Sequence, residues 1–248
     1  MDLAQAGGYA LRIVVEDKRF PAVGEAPERH VLGPLAIGLR RGEIVALTGP
    51  SGCGKSTLIN LVAGLDRDFA GRIERPAGSR LAVVFQEPRL LPWRTVTQNL
   101  ELVLPDRPDT AGRIAAVLEE VGLGDAARTF ASRLSLGMAR RAALARAFVI
   151  RPDLLLLDEP FASLDVPTAH RLRLLLLDLM RAHGVTGLFV THDLDEAVML
   201  ADRLVVLSAS PAAVTADIPI GIAAAARRDP VQVAEATREV RAGMGRTA

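Results

Sequence analysis

The sequence predicts an α/β fold in which an antiparallel β segment precedes a parallel-stranded core and a helical segment is inserted into that core. Three observations predict this class. The first apolar runs are separated by a loop that is too short for a helical crossover, so these runs are expected to pair antiparallel. From Lys55 onward, continuous apolar runs alternate with helical patterns, as in a parallel sheet covered on both faces. Between Thr95 and Ile150, helical patterns occur and no convincing strand does.

The individual elements follow in chain order from these patterns. Early apolar runs predict strands, and a loop that contains proline and glycine is expected over residues 21–34. Helices are predicted where apolar residues recur at helical spacing, and the third ends before Pro152 because proline cannot continue a helix. The predicted strands are residues 11–15, 35–39, 44–47, 81–85, 154–157, 187–190 and 204–207, and the predicted helices are residues 57–64, 112–121 and 138–150.

The composition is that of a globular protein and excludes several classes. Half of the 248 residues are apolar, and 30 basic against 29 acidic residues leave a net charge of +1, which disfavours a strongly basic nucleic-acid-binding protein. The longest stretch without a charged side chain, residues 204–216, is shorter than the roughly 18 apolar residues of a membrane span. No secretory signal is expected at the N-terminus. The single cysteine, Cys53, excludes an internal disulfide and fits a reducing cytosol.

A phosphate-binding loop is predicted between the strand at 44–47 and the helix at 57–64. Residues 49–56 read Gly-Pro-Ser-Gly-Cys-Gly-Lys-Ser and match the P-loop pattern G-x-x-x-x-G-K-[ST] in its strand-to-helix context. Glycines let the backbone approach phosphate oxygens, and Lys55 adds a positive charge at the β- and γ-phosphates. The Ser56 hydroxyl is a hard oxygen donor that suits Mg²⁺. We also expect the Cys53 thiol to be modifiable and to be shielded by bound ATP.

Two carboxylates end the apolar strand at 154–157. Asp158 and Glu159 are therefore expected at the carboxyl edge of the sheet, where α/β proteins of this kind bind ligands. Two acids at a strand end are often only a solvated edge, but together with a P-loop they predict nucleotide chemistry. We expect Asp158 to hold Mg²⁺ through water and Glu159 to orient the attacking water.

With these two motifs, the sequence resembles an ATP-binding-cassette (ABC) ATPase over about residues 11–207. The resemblance implies a P-loop NTPase (RecA-like) core. It assigns Gln86 to the Q-loop, which senses Mg²⁺ and the γ-phosphate and relays to a membrane partner. It also assigns Asp165 to the D-loop, and His192 to the H-loop, whose histidine contacts the γ-phosphate. Phe20 is the first candidate to stack on adenine, and Tyr9 is a weaker one.

The signature motif departs from the family pattern. Residues 134–138 read Leu-Ser-Leu-Gly-Met where the family has Leu-Ser-Gly-Gly-Gln. Ser135 and Gly137 remain, and these two are the residues expected to face a γ-phosphate across a dimer interface. The departures at Leu136 and Met138 concern the hydrolysis rate more than the function.

Taken together, the motifs and the resemblance give one set of expected site residues and one domain arrangement. A single domain, 1–248, is expected, in which about 1–92 and 151–210 form a nucleotide-binding core with the β subdomain, 93–150 form a helical subdomain with the signature, and 211–248 form a short tail. The residues expected to bind ATP are Phe20, Gly49, Pro50, Ser51, Gly52, Cys53, Gly54, Lys55, Ser56, Thr57, Gln86, Ser135, Gly137, Asp165 and His192. Those expected in catalysis are Lys55, Gln86, Glu159 and His192, and those expected to hold Mg²⁺ are Ser56, Gln86 and Asp158.

The resemblance extends to a functional class. Residues 90–96 are similar to a segment of importer ATPases for nitrate, sulfonates such as taurine, and related small organic solutes. Residues 193–197 also resemble importer ATPases. The resemblance therefore implies the ATP-hydrolysing, energy-coupling subunit of an ABC transporter that imports a small anionic or organic solute. It also implies a homodimer, permease subunits, a solute-binding protein, and a location at the cytoplasmic face of the inner (plasma) membrane, peripheral through the permease. Trp93 is expected either to contact the permease or to pack within its own subunit.

Within the transporter class, an exporter subunit remains an alternative to an importer subunit, since the same ATPase serves both directions. Two other functions remain as alternatives. One is a soluble ABC ATPase that acts on nucleic acid or ribosomes, which the near-neutral charge disfavours. The other is a P-loop kinase of a small molecule, which would leave the signature, D-loop and H-loop residues without a role.

Overall fold

The structure is a computed structural model that describes residues 8–22, 24, 27–104 and 108–244. Its strands are β1 (Tyr9–Phe20), β2 (Arg29–Leu32), β3 (Leu35–Arg40), β4 (Ile44–Thr48), β5 (Ala70–Glu74), β6 (Leu81–Val84), β7 (Leu154–Asp158), β8 (Thr186–Val190), β9 (Arg203–Leu207) and β10 (Val214–Pro219). Its helices are α1 (Lys55–Ala63), α2 (Val96–Glu101), α3 (Thr110–Glu120), α4 (Leu136–Phe148), α5 (Val166–His183), α6 (Leu194–Leu200) and α7 (Pro230–Met244).

The chain divides into two compact units. Unit 1 comprises residues 1–79 and 186–248, and unit 2 comprises residues 80–185. The sequence placed its subdivisions at other positions, near residues 92, 150 and 210, and that domain organisation stays a prediction.

Unit 1 contains an antiparallel sheet built around the long strand β1. This strand pairs antiparallel with β2, β3 and β5, and its buried residues alternate with more exposed ones, which is typical of a sheet with one covered face. Leu11, Ile13 and Val15 are at most 1% exposed. The antiparallel pairing of the first predicted strands is therefore confirmed.

Unit 1 also contains parallel strands whose side chains are buried on both faces. Strand β4 pairs in parallel with β8 on one side and with β9 on the other, and β10 adds an antiparallel edge beside β9. All five residues of β4 and of β8 are buried, as a parallel sheet covered on both faces requires.

Unit 2 combines a parallel strand pair with most of the helices that precede residue 185. Strands β6 and β7 pair in parallel, and β7 carries four consecutive buried leucines. Helices α2, α3 and α4 lie between these strands in the sequence, so the predicted helical segment between residues 95 and 150 is confirmed. The two longest helices of this unit begin at side-chain caps: Ser135 caps α4 and Asp165 caps α5 through side-chain oxygens.

Three strands lie where the sequence predicted none. The predicted loop over residues 21–34 is wrong in its second half, because β2 pairs with the end of β1. Strand β5 pairs with β1, and β10 pairs with β9. None of the three has a long apolar run, so their strand conformation follows from partners far along the chain.

Among the described residues, no helix is long and apolar enough to span a membrane.

Candidate functional site

In unit 1, the loop between β4 and α1 has the backbone geometry of a phosphate-binding loop. Gly54 has φ 112°, in the region that favours glycine, and a Cβ atom there would lie 2.7 Å from side-chain carbons of both Val31 and Leu32. The unpredicted strand β2 therefore packs directly against the loop. A larger residue at position 54 would push the loop and strand apart.

The positive groups of this loop are arranged for an anion. Helix α1 begins at Lys55 without a side-chain cap or an acidic residue in its first turn, so the positive end of the helix dipole is not countered there. The Lys55 ammonium is buried, and it donates to the carbonyl oxygens of Gly49 and Pro50, both at 2.9 Å. Pro50, Ser51, Gly52 and Ser56 are exposed, and Thr57 is half-buried.

Cys53 differs from its neighbours in the loop. Its side chain is only 1% exposed, so a thiol reagent cannot reach it unless the loop opens. This burial disfavours modification of the thiol, and the expectation that it is modifiable and shielded by ATP stays a prediction.

His192 lies at the same edge of unit 1 as the phosphate loop. Leu47 of β4 is the register partner of Val190 in β8, and the two strands run parallel, so the loop and His192 both follow carboxyl ends of adjacent strands. His192 is exposed. Its backbone neighbours are fixed, since Thr191 N–H donates to the Leu47 carbonyl at 3.1 Å.

Phe20 is connected to the phosphate loop through Arg29. These two residues are register partners in β1 and β2, and Arg29 Nη2 donates to the Gly52 carbonyl at 2.8 Å. The Phe20 ring is 41% exposed, and the Lys18 ammonium lies 4.6 Å from its centroid. Tyr9 begins the same strand at its opposite end, far from the loop, so Phe20 is the better candidate for a base contact.

Unit 2 brings together Gln86, Asp158 and Glu159. Val84 of β6 is the register partner of Leu157 in β7, and both strands run in the same direction. Gln86 follows β6, and the two carboxylates stand at the end of β7. All three residues therefore lie at the carboxyl ends of adjacent parallel strands. Glu159 has φ 46°, an unusual conformation for a residue with a side chain, and such strain is found at functional sites.

The signature and D-loop residues of unit 2 line one cavity of about 440 Å³. Ser135 Oγ accepts a hydrogen bond from Met138 N–H at 3.3 Å, as a helix cap does. Asp165 caps α5 by accepting from Thr168 N–H at 3.1 Å, and hydrogen bonds from the Thr168 side chain and backbone hold the pKa of Asp165 below its usual range. Gly137 also lines this cavity, and a Cβ atom added there would lie 3.0 Å from Thr168 Cγ2.

Two arginines of α4 hold the segment around Gln86, and sequence reasoning missed both. Arg140 is 4% exposed and donates to the carbonyl oxygens of Phe85 and Ala162, at 3.4 and 3.0 Å. Arg146 donates to the carbonyls of Pro88 and Arg89, at 2.8 and 2.6 Å. Burial lowers the pKa of both guanidinium groups from the ordinary arginine value. Apart from their lying in a helix rich in arginine, no local sequence signal distinguishes them.

The expected site residues thus form one set in each unit. Unit 1 holds Phe20, the phosphate loop through Thr57, and His192, while unit 2 holds Gln86, Ser135, Gly137, Asp158, Glu159 and Asp165. Within the described residues, no three His, Cys, Asp or Glu side chains form a metal-binding cluster. The oxygen donors of Ser56 in unit 1, and of Gln86 and Asp158 in unit 2, are each of the type that Mg²⁺ prefers, and this ion commonly binds one or two protein ligands together with phosphate and water.

Comparison with known proteins gives close relatives along most of the chain. An aliphatic sulfonates import ATP-binding protein from Burkholderia cenocepacia is 44% identical over 218 residues, which cover 85% of this chain and 81% of that protein. A protein of the same name from Pseudomonas syringae is 48% identical over 220 residues, which cover 88% of this chain and 90% of that protein.

A solved structure is similar as well. It is an ATP-binding cassette, dimeric in a post-hydrolysis state bound to ADP and Pi, with 25% sequence identity and a TM-score of 0.72. The match covers 84% of this chain and 98% of that one. The family model for ABC transporters matches residues 32–162, from β2 to just beyond Glu159. The chain therefore belongs to the ABC transporter family, as an ATP-binding cassette ATPase.

Proposed function

We propose that this chain is the energy-coupling subunit of an importer of aliphatic sulfonates or of similar small organic anions. The observation that carries the proposal is its 44–48% identity to import proteins of that name over 81–90% of their length. A nucleic-acid or ribosomal role is not favoured, because the net charge of +1 offers no strong electrostatic attraction to phosphate backbones.

The residues of unit 1 would bind the nucleotide. Phe20 stacks on adenine, the residues from Gly49 to Thr57 surround the phosphates, and Lys55 neutralises charge on the β- and γ-phosphates. His192 contacts the γ-phosphate. Two features support these roles. The phosphate loop and His192 follow the carboxyl ends of the adjacent strands β4 and β8, and a hydrogen bond from Arg29 joins β2 to the loop.

The residues of unit 2 would activate water and bind the metal. Asp158 and Gln86 hold Mg²⁺ with Ser56, and the ion screens the phosphate charge during hydrolysis. Glu159 orients the attacking water. Their place at one strand edge and the strained backbone of Glu159 support this assignment.

The working assembly would be a homodimer bound to permease subunits, at the cytoplasmic face of the plasma membrane, with a solute-binding protein. In the dimer, Ser135, Gly137 and Asp165 of one protomer complete the ATP site of the other. Leu136 lines the cavity of the signature residues and is 44% exposed, so it is available to such an interface.

The proposal is tested by isolating the complex. The tagged chain is purified from gently solubilised native membranes, and the partners are identified by mass. We expect a multi-span permease, and ATP hydrolysis that an alkanesulfonate stimulates in the presence of a solute-binding protein. Recovery of ribosomal or DNA-associated proteins alone would contradict the importer role and leave the ATPase assignment intact.

The catalytic assignment is tested with Glu159→Gln. The amide keeps the shape of the side chain and removes its ability to polarise water, so we expect turnover to fall at least about 100-fold while MgATP still binds. Glu101→Gln, at the exposed end of α2, is the matched control and should hydrolyse ATP at the wild-type rate. Normal turnover of Glu159→Gln would exclude Glu159 as the residue that activates water.

A further inference from the structure

The C-terminal helix α7 packs against α6, the short helix that follows His192. One face of α7 is buried, formed by Val233, Thr237 and Val240, which are 8%, 6% and 5% exposed. These positions recur at the spacing of a single helical face. Thr237 is the only polar residue of the three, so its hydroxyl needs a partner in this contact.

A chain of hydrogen bonds runs from Thr237 to both neighbours of His192. Thr237 Oγ1 donates to Asp195 Oδ1 at 2.7 Å, across 42 residues of sequence. The Asp195 N–H donates to Asp193 Oδ1 at 2.8 Å. The Asp193 N–H in turn donates to Thr191 Oγ1 at 3.0 Å. The backbone on each side of His192 is therefore held by hydrogen bonds of Asp193 and Asp195, and Thr237 of α7 holds the Asp195 side chain.

A second contact secures the same turn from within α6. Thr191 Oγ1 donates to Glu196 Oε2 at 2.5 Å, and both residues are buried. The Glu196 N–H approaches Asp193 Oδ1 at 3.4 Å. The His192 segment thus depends on the first turn of α6 staying in place, and Asp195 accepts a hydrogen bond that joins this turn to α7.

The segment before α7 holds the other end of α6. Arg227 is 5% exposed, and its guanidinium donates to the Ala201 carbonyl and to Asp202 Oδ1, both at 2.7 Å. The second oxygen of Asp202 accepts from the N–H of Ile44, the first residue of β4, at 2.9 Å. Residues of the C-terminal segment therefore fix α6 at both ends, relative to the strand that leads into the phosphate loop.

We propose that Thr237 is a positioning residue for ATP hydrolysis, which acts on His192 through Asp195 and the first turn of α6. This inference rests on the proposed role of His192 at the γ-phosphate. It gives the C-terminal segment a part in catalysis although no residue of that segment lies in a recognised motif. A histidine that contacts a transferring phosphate must be held within a fraction of an ångström, which one exposed loop residue does not achieve alone.

The first experiment removes only the Thr237 hydroxyl. Thr237→Val keeps the branched shape and breaks the bond to Asp195, so we expect the kcat for ATP in the purified complex to fall about fivefold to tenfold, with less than a twofold change in KM. Thr237→Ser keeps a hydroxyl and should restore most of the kcat. Thr215→Val is the matched control, since Thr215 Oγ1 donates to the Val206 carbonyl at 3.1 Å on the exposed edge of the same unit; its kcat should match the wild type.

The second experiment asks whether the effect passes through His192. In a His192→Ala background, Thr237→Val should cause no further loss of the residual kcat, because the group that it positions is gone. In the full chain, the ring resonance of His192, assigned by its loss in His192→Ala, should shift or broaden in Thr237→Val and stay unchanged in Thr215→Val. If Thr237→Val folds poorly, Asp195→Ala breaks the same bond from an exposed position and should give the same kcat loss.

The outcomes separate this inference from the proposed function. If the wild-type complex hydrolyses ATP and Thr237→Val has the same kcat and the same His192 ring resonance, the inference is overturned and the proposed function stands. The same would follow from an equal loss in the His192→Ala background, because Thr237 would then act through general stability. A wild-type complex without ATP hydrolysis would contradict the proposed function, whatever the resonance shows.

Discussion

At the scale of single residues, the buried arginine Arg140 is the most informative side chain that no motif contains. It bonds the carbonyl that precedes Gln86 and the carbonyl of Ala162, which follows Glu159 by three residues. Its guanidinium is desolvated, which lowers its pKa. A charge is retained in such a place only where its hydrogen bonds offset the desolvation.

We therefore predict that Arg140→Met lowers the free energy of unfolding by about 2 kcal/mol, because two part-buried carbonyl groups lose the guanidinium that donates to them. It should also lower the kcat for ATP, since both bonded segments adjoin proposed catalytic residues. Chemical denaturation and steady-state hydrolysis measure the two effects. Arg238→Met removes an arginine that is 76% exposed, and it is the control that should change neither.

At the scale of elements, the loop that carries Trp93 is held by one fully buried amide. Asn99 of α2 is 0% exposed, its Oδ1 accepts from Leu91 N–H at 2.7 Å, and its Nδ2 donates to the Leu91 carbonyl at 3.2 Å and to the Thr95 carbonyl at 2.9 Å. Trp93 itself is 69% exposed, so packing within its own chain accounts for little of its surface. The hydrogen bonds of the buried Asn99 side chain fix the conformation of this loop, and the Trp93 side chain remains exposed for contact with a partner.

Replacing this amide should loosen the loop. We expect Asn99→Ala to lower the free energy of unfolding by about 2 kcal/mol, since the part-buried Leu91 N–H loses its acceptor and the carbonyls of Leu91 and Thr95 each lose a side-chain donor. Amide hydrogen exchange of residues 91–95 should accelerate, and that of β8 in unit 1 should not. Gln232→Ala is the control, since this exposed residue donates from its amide to Asp229 Oδ2 at 3.0 Å on the protein surface. Wild-type exchange in Asn99→Ala would contradict this account.

The elements also show what a sequence can and cannot predict. The phosphate loop and the strand β7 were predictable because each is a contiguous string whose residue types carry the chemistry. Strand β5, with the sequence Ala-Gly-Arg-Ile-Glu, was not, because only its pairing with β1 makes it a strand. Arg140 and Thr237 were missed for a related reason: their partners lie 22 to 55 and 42 residues away.

At the scale of the whole molecule, a buried lysine stabilises unit 1. Lys18 of β1 is 2% exposed and pairs with Asp66, which follows α1, at 2.9 Å. Burial raises the pKa of Asp66, but the hydrogen bond and charge of Lys18, together with backbone N–H groups, lower it by more. The pKa of Asp66 is therefore lower in the folded protein than in the unfolded chain.

This shift has a pH dependence of definite sign. The stabilisation is complete above the unfolded pKa of about 3.9, and it is lost as the pH falls through the lower folded value. We expect Asp66→Asn to remove this part of the acid sensitivity and to lower the free energy of unfolding at pH 7 by about 2 kcal/mol, because Lys18 stays buried. Denaturation curves from pH 2 to 7 measure both effects. Asp68→Asn is the control, since that side chain is 89% exposed, and it should change the acid sensitivity and the free energy of unfolding little.

The proposed homodimer makes a prediction for mixed assemblies. Lys55→Ala should weaken the phosphate contact within one protomer, and Ser135→Arg should block the contribution of the other protomer to that site. A mixture of the two variants should regain hydrolysis at the one composite site that stays intact, whereas either variant alone should be nearly inactive. Titration of one variant against the other, followed by steady-state hydrolysis, measures this, and no recovery at any ratio would contradict the shared site.

The division of the chain between the two units also sets the order in which the protein can fold as it is synthesised. Unit 2 is one uninterrupted stretch, whereas β4 of unit 1 must wait for β8 and β9, which emerge only after unit 2 is complete. The strand that leads into the phosphate loop is thus made early and paired late, and its apolar residues stay exposed in the meantime. A chain that ends at residue 185 should, once released, contain a protease-resistant unit 2 beside a protease-sensitive phosphate loop.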